Sequence, residues 1–276
     1  MNKRNMEVGG SMRKKIKVTK DVLGQLDVLF VIDATGSMAP YIEEARKYAG
    51  EVAVKLAKDN DLDIRFGVVA YRDHPPQDNT FVTSKSDGFG DAARLQDALR
   101  KLSAGGGGDR PEAVWDGVAE AIKFDWRKGA DRTIYLIGDS PPHGHARSQN
   151  EDHWPKGCPC GLTAEKLITD LKHERIEVNA FSISGHADTT AAFELLSKAT
   201  DGVTLKADRP AIITSGYTGS LTGKSDSITS SRAVFAAMAD TGMKYEPASA
   251  SLGYSAEKTA RDLEYLKKRG IEVDES

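Results

Sequence analysis

The 276-residue chain is poor in cysteine, in long apolar runs and in net charge. Two cysteines, Cys158 and Cys160, are too few for the disulfide framework of a small secreted domain. No apolar run approaches the roughly 20 residues that span a bilayer, and no apolar core follows the basic residues near the N-terminus. The net charge of -3 gives no reason to expect a nucleic acid or an anionic membrane as partner. These absences predict a cytoplasmic protein.

The residues that are present predict an α/β fold. With 39% hydrophobic residues, the chain can bury one full core and carry a small appendage. The predicted strands are 26–33, 63–74, 80–84, 132–139, 177–185 and 203–207, and the predicted helices are 40–56, 91–102, 114–122, 163–174 and 189–199. Strands that alternate with helices predict a doubly wound, mostly parallel sheet flanked by helices. The short strand 80–84 is expected to be antiparallel at one edge.

Three acidic residues lie at the end of a predicted strand or in a loop that leads into a predicted helix. Asp33 ends the first strand and is followed at two-residue intervals by Thr35 and Ser37, while Asp109 and Asp139 lie in two later loops. The carboxyl ends of parallel strands meet at one edge of a sheet, so we expect these side chains to converge there. Carboxylates with hydroxyls are ligands for a hard cation, Mg²⁺ or alternatively Mn²⁺ or Ca²⁺.

Each of these features also has a structural interpretation. An acid at the end of a strand is often only the N-cap of the next helix, and Thr35 and Ser37 could cap the helix that begins near Ala39. The glycines 105–108 could provide nothing more than flexibility. We interpret residues 71–74, which precede two prolines, as a surface turn outside the site.

The segments "DATGS", "GGGGDRPEA" and "LIGDSPPHG" resemble the von Willebrand factor type A domain. That family has a metal-ion-dependent adhesion site built on an Asp-x-Ser/Thr-x-Ser motif and two further loops. The resemblance implies that Asp33, Thr35 and Ser37 bind the metal directly or through water, with Asp139 from the third loop. Where integrin-type domains have a threonine in the second loop, this sequence has Asp109, a variant similar to the type A domains of alpha-kinases and some matrix proteins.

The resemblance implies a binding module rather than an enzyme. A metal with an open coordination position would be completed by an Asp or Glu of a partner protein. The main rival is a Mg²⁺-dependent phosphohydrolase of the haloacid dehalogenase type, whose second acid acts as general acid at the position of Thr35, where a hydroxyl cannot perform that task. A structural scaffold without metal is the third interpretation. We expect no catalytic residues.

A second group of metal-binding residue types lies in the connection after the fourth strand. It contains His143, His145, His153, Cys158 and Cys160. Two thiolates and two imidazoles could form a tetrahedral zinc site, but the Cys-x-Cys spacing is tighter than usual. We favour a polar loop without zinc, and a redox pair is a third alternative.

The resemblance covers residues 26–207 and suggests four segments. They are an N-terminal lead-in, 1–25; the type A domain, 26–207; a Ser/Gly-rich linker, 208–230; and a helical C-terminal extension, 231–276. Within them, the Ser-, Thr- and Gly-rich residues 215–231 predict an exposed loop. Two short helices are expected after it, at 231–241 and 255–269.

Overall fold

The computed structural model describes residues 24–44, 46, 62–183, 185–271 and 273. Residues 1–23 of the predicted lead-in lie outside the described residues, as do residues 45 and 47–56 of the first predicted helix. Of that helix, residues 40–44 and 46 are helical.

A six-stranded sheet forms the centre of the fold. Its strands are β1 (Gln25–Asp33), β2 (Asp63–Tyr71), β3 (Thr83–Lys85), β4 (Asp131–Gly138), β5 (Glu177–Ile183) and β6 (Thr204–Ala207). They lie in the order β3-β2-β1-β4-β5-β6, and only β3 is antiparallel to its neighbour. The predicted antiparallel edge strand is thus confirmed.

Helices cover both faces of this sheet. They are α1 (Ala92–Lys101), α2 (Val114–Ile122), α3 (Ala164–Glu174), α4 (Ala187–Ala199), α5 (Pro210–Thr241), α6 (Tyr245–Ser251) and α7 (Ala256–Lys268). Alternate residues of β1 point to opposite faces, so Phe30 packs in one apolar cluster with α1 and α5, and Leu29 packs in the other with α2, α3 and α4. The doubly wound, mostly parallel α/β fold predicted from the sequence is confirmed.

The exposed loop predicted for residues 215–231 is wrong, because this segment lies within the 32-residue helix α5. Its apolar residues Leu221 and Ile228 are buried in the sheet cluster that contains Phe30. The hydroxyl of Ser230 lies 2.8 Å from the Asp226 carbonyl one turn earlier and also contacts the Asp262 carboxylate, so this buried serine has polar partners within the helical conformation. Tertiary packing therefore overrides the low helix propensity of Ser and Gly. The division of the chain near residue 207 remains a prediction.

A buried ion pair attaches α5 to the sheet. Lys224 Nζ donates to Asp131 Oδ1 and Thr133 Oγ1, both at 2.7 Å, and lies 3.3 Å from Glu177 Oε1. Burial works against the charge of Lys224, yet Asp131 and Glu177 raise its pKa well above the usual value. Beyond α5, the small helices α6 and α7 pack on its second half around Val234. Among the described helices, none is long and apolar enough to cross a membrane.

Candidate functional site

The residues after β1 form a compact hydroxyl and carboxylate group. Asp33, the last residue of β1, is fully buried, and its Oδ1 accepts from the Thr35 N–H at 2.9 Å and from Thr35 Oγ1 at 2.6 Å. Thr35 Oγ1 in turn lies 3.4 Å from Ser37 Oγ, at the start of a short 3₁₀ turn over Gly36–Met38. The two-residue spacing therefore brings all three oxygen-bearing side chains together, as the sequence predicted.

Backbone hydrogen bonds fix the glycine loop against this group. The Gly105 N–H donates to the Ala34 carbonyl at 3.0 Å, and the Gly36 N–H donates to the Gly106 carbonyl at 3.3 Å. Gly106 and Gly107 have φ values of 72° and 86°, and a Cβ at Gly107 would lie 3.0 Å from a carboxylate oxygen of Glu112. These glycines are needed for conformation and close approach, which goes beyond simple flexibility.

Five carboxylates gather at this end of the sheet, and we call them the acidic rim: Asp33, Asp73, Asp109, Glu112 and Asp139. The pKa of Asp33 is raised to about 7, mainly by burial and secondly by the neighbouring Asp139 carboxylate. The hydrogen bonds from Thr35 oppose this shift. Burial, and then the charges of the other four, raises the pKa of Glu112 to about 11. The three acids predicted from the sequence therefore interact at one place.

Glu112 is a site residue that the sequence reasoning missed. It is 3% exposed, its N–H donates to the Pro141 carbonyl at 3.0 Å, and its side chain lies against Gly107. The signal in the sequence is its position three residues after Asp109, just past the glycines of that loop.

The interpretation of residues 71–74 as a surface turn is wrong. Tyr71, Arg72, Asp73 and His74 are all buried, with exposures of 0–6%. Strand β2 ends at Tyr71, and the chain then passes beneath the loops: Arg72 Nε donates to the Ala34 carbonyl at 3.1 Å. The polar composition of this segment does not indicate exposure to solvent, because Arg72, Asp73 and His74 have hydrogen-bond partners inside the protein.

His143 links the acidic rim to the following loop. Its Nε2 lies 2.7 Å from Asp73 Oδ1, and its Nδ1 lies 2.9 Å from Asp152 Oδ1. Burial disfavours the charged ring, but these two carboxylates outweigh it and raise the pKa of His143. An imidazolium at this buried position would balance part of the negative charge of the rim.

Asp109 lies on the side of the rim that faces this loop. Its Oδ2 accepts from the His153 N–H at 2.5 Å, and burial is the main cause that raises its pKa. Asp139 follows directly after β4, where Ser140 Oγ donates to its Oδ1 at 3.1 Å. Of the two, Asp139 is the one whose charge raises the pKa of Asp33.

The donor set of the rim fits a hard cation. Four buried carboxylate oxygens have no hydrogen-bond partner among the described residues: Asp33 Oδ2, Asp73 Oδ2, Asp109 Oδ1 and Glu112 Oε2. Buried acceptors without donors are rare unless a cation or water satisfies them. Among the described residues, the rim carboxylates do not bring three oxygens within 4.8 Å of one another, whereas ligand atoms of His74, Asp116, Cys158 and Cys160 lie that close. A cation at the rim would thus need the hydroxyls of Thr35 and Ser37 as well.

The zinc ligand set considered from the sequence does not assemble. His143 is held by two carboxylates, the ring of His145 lies edge-on to Trp115 at 5.5 Å, and the ring of His153 lies 4.9 Å from that of Trp154. The two cysteines are free thiols and lie instead beside His74 and Asp116, residues far away in the sequence.

Known proteins share this fold and sequence pattern. A family model for the von Willebrand factor A domain matches residues 27–209. The alpha-protein kinase vwkA of Dictyostelium discoideum is 34% identical over 191 residues, which are 67% of this chain and 28% of that protein. The chain thus spans less than a third of the length of this relative.

Solved structures show the same architecture. A von Willebrand factor type A protein from Catenulispora acidiphila has a TM-score of 0.53 at 17% identity, over 72% of this chain and 42% of that one. The pilus adhesin SpaC of Lactobacillus rhamnosus GG, in its open conformation, has a TM-score of 0.52 at 14% identity, over 79% and 31% of the two chains.

Von Willebrand factor A domains are commonly protein-interaction modules that bind divalent metals, and they are generally not enzymes. The family match extends over more than half of the chain and includes all five residues predicted for the site. The chain belongs to the von Willebrand factor A domain family.

Proposed function

We propose that this domain binds a divalent cation at the acidic rim and uses it to capture an Asp or Glu of a partner protein. The observation that carries the proposal is the buried Asp33 carboxylate, whose Oδ2 has no donor among the described residues. A carboxyl group in this position is costly unless a cation balances it, since burial and Asp139 already raise its pKa to about 7.

Each predicted ligand has a defined role in this proposal. Thr35 Oγ1 and Ser37 Oγ, 3.4 Å apart, supply neutral oxygens, and Asp33 and Asp139 supply negative charge. The Oδ1 of Asp109, which has no partner among the described residues, would bind a water of the cation or the cation itself. Mg²⁺ suits this small oxygen set best, and Mn²⁺ or Ca²⁺ are the alternatives. When bound, the cation supplies a positive charge with an exchangeable position for a carboxylate.

The same geometry favours binding over catalysis. In a haloacid dehalogenase-type enzyme, the residue two positions after the first acid would carry a proton to a leaving group. Here it is Thr35, 2% exposed, whose hydroxyl donates to Asp33. The kinase name of the Dictyostelium relative belongs to a protein of which this domain covers 28%. We infer that in a longer protein of that kind this domain would be the part that binds proteins without catalysing a reaction. We also infer that it works in the cytoplasm, where Cys158 and Cys160 stay reduced.

A capture experiment tests the proposal. The immobilised domain is incubated with cell extract in Mg²⁺ or in EDTA, beside an Asp33→Asn variant that keeps an acceptor for the Thr35 hydroxyl. We expect that a partner is retained only by the wild type in Mg²⁺. We also expect that this partner is no longer retained when one of its Glu or Asp residues is replaced by Gln or Asn. A partner held equally well in EDTA, or by Asp33→Asn, would show that binding does not use the cation.

A further inference from the structure

A second group of metal-binding side chains lies beside the acidic rim, and we call it the Cys–His cluster: His74, Asp116, Cys158 and Cys160. Three separate segments contribute to it. His74 follows β2, Asp116 lies in the first turn of α2, and the two cysteines end the connection between β4 and α3. His74 and Cys158 are buried, Asp116 is half-buried, and Cys160 is exposed.

The distances within this cluster match those between the ligands of one small ion. His74 Nε2 lies 3.0 Å from Asp116 Oδ2, Cys158 Sγ lies 3.1 Å from the same oxygen, and Cys158 Sγ lies 3.5 Å from His74 Nε2. All four ligand atoms lie within 4.8 Å of one another. Bond lengths of about 2.0–2.3 Å around tetrahedral zinc place ligand atoms about 3.3–3.8 Å apart. Only small movements are needed to admit the ion.

The chemistry of the four side chains selects the metal. Two thiols with an imidazole and a carboxylate form a soft, nitrogen- and sulfur-rich set that suits Zn²⁺ and does not suit Mg²⁺. The backbone supports a thiolate at Cys158, because the Cys160 N–H points at its Sγ from 3.4 Å. Gly161, with a φ of 70°, turns the chain directly after the second cysteine.

Without a cation, the Cys158 thiol and the Asp116 carboxylate lie close to each other and to His74. The Cys158 thiol must then donate to Asp116, and burial together with this carboxylate raises the pKa of Cys158 to about 12. A zinc ion would take the place of the thiol protons, which pass to solvent, and its charge would be more than balanced by two thiolates and a carboxylate.

We propose that His74, Asp116, Cys158 and Cys160 bind one structural zinc ion, separate from the cation of the acidic rim. With four protein ligands, the site has no open position and would not bind substrate. It would attach the long β4–α3 connection to α2 and to the end of β2. Since the backbone N–H of His74 donates to Asp73 Oδ1 at 2.6 Å, the zinc would also fix the Asp73 side of the rim.

Elemental analysis tests the proposal directly. Protein expressed in zinc-supplemented medium and dialysed should carry about one zinc per chain. Cys160→Ser should lower this content at least about tenfold; because Cys160 is exposed, the change should leave the fold intact. His153→Gln is the matched control in the same loop: its exposed ring is outside the cluster, so it should keep its zinc.

Cobalt substitution identifies the ligands. The Co²⁺-loaded wild type should show a thiolate-to-cobalt charge-transfer band, which should weaken in Cys160→Ser and persist in Asp33→Asn. Retention of zinc and of this band by Cys160→Ser would overturn the ligand assignment. Wild-type protein that binds no zinc even after titration with the metal would overturn the site. Because Asp33→Asn changes only the rim, failure of the zinc proposal is distinguishable from failure of the proposed function.

Discussion

At the scale of single residues, His143 is the only basic side chain in direct hydrogen-bond contact with the acidic rim among the described residues. It has no exposed surface on its side chain and joins Asp73 to Asp152. The nearby ring of His74 is 5.8 Å away, centroid to centroid. Removing this side chain would leave the buried carboxylates of Asp73 and Asp152 without their shared partner, which is costly.

We expect His143→Gln to lower the free energy of unfolding at pH 6 by about 3–5 kcal/mol. The pKa of His143 is raised above 6.5 in the folded protein, so its stabilisation is complete below that pH and is lost as pH rises through the folded pKa. The difference between wild type and variant should therefore shrink towards pH 9. Urea unfolding at both pH values checks this, with exposed His153→Gln as control. A constant difference across the pH range would mean that the ring is neutral.

Residues differ in how far the sequence could predict their roles. Asp33, Thr35 and Ser37 lie within five positions of one another and follow a buried strand, so local spacing was enough. Glu112 and His143 depend on which loops the fold brings together. His74 was assigned to a surface turn, although it meets Cys158 across 84 positions of sequence. Contacts of that separation leave no local pattern.

At the scale of elements, most of α5 is not predicted from the sequence, although this helix packs against the sheet. Its Ser- and Gly-rich sequence predicts a loop, yet Gly216 lies so close to β5 and β6 that a Cβ there would come within 2.6 Å of the Phe181 ring. Small residues allow this approach, which is why composition alone misled the prediction. The strands and the helices α1 to α4 have regular apolar periodicity and were predictable.

We expect Lys224→Met to destabilise the protein by about 3–5 kcal/mol, because it leaves Asp131 buried without its cation. The exposed Lys206→Met on β6 is the matched control and should change stability by less than about 0.5 kcal/mol. Chemical denaturation of the three proteins measures both values. If Lys224→Met were as stable as the control, α5 would not be docked on the sheet through this pair.

At the scale of the whole molecule, the end of the sheet where β1, β2 and β4 finish holds two chemically different groups. The acidic rim offers only oxygens, whereas the Cys–His cluster offers sulfur and nitrogen, so each favours a different ion. Asp73 belongs to the acidic rim, and its neighbour in the sequence, His74, belongs to the Cys–His cluster. In this account the zinc holds the loops in place, and the rim presents its cation to a partner.

Calorimetric titration of Mg²⁺ into metal-free protein tests the central claim most directly. The wild type should bind about one Mg²⁺ at the rim, and Asp33→Asn should weaken the affinity at least about tenfold. The variant should be as stable as the wild type without metal, or more so, because burial and Asp139 disfavour the charged Asp33. Mg²⁺ binding that is unchanged in a folded Asp33→Asn protein would contradict a cation site built on Asp33.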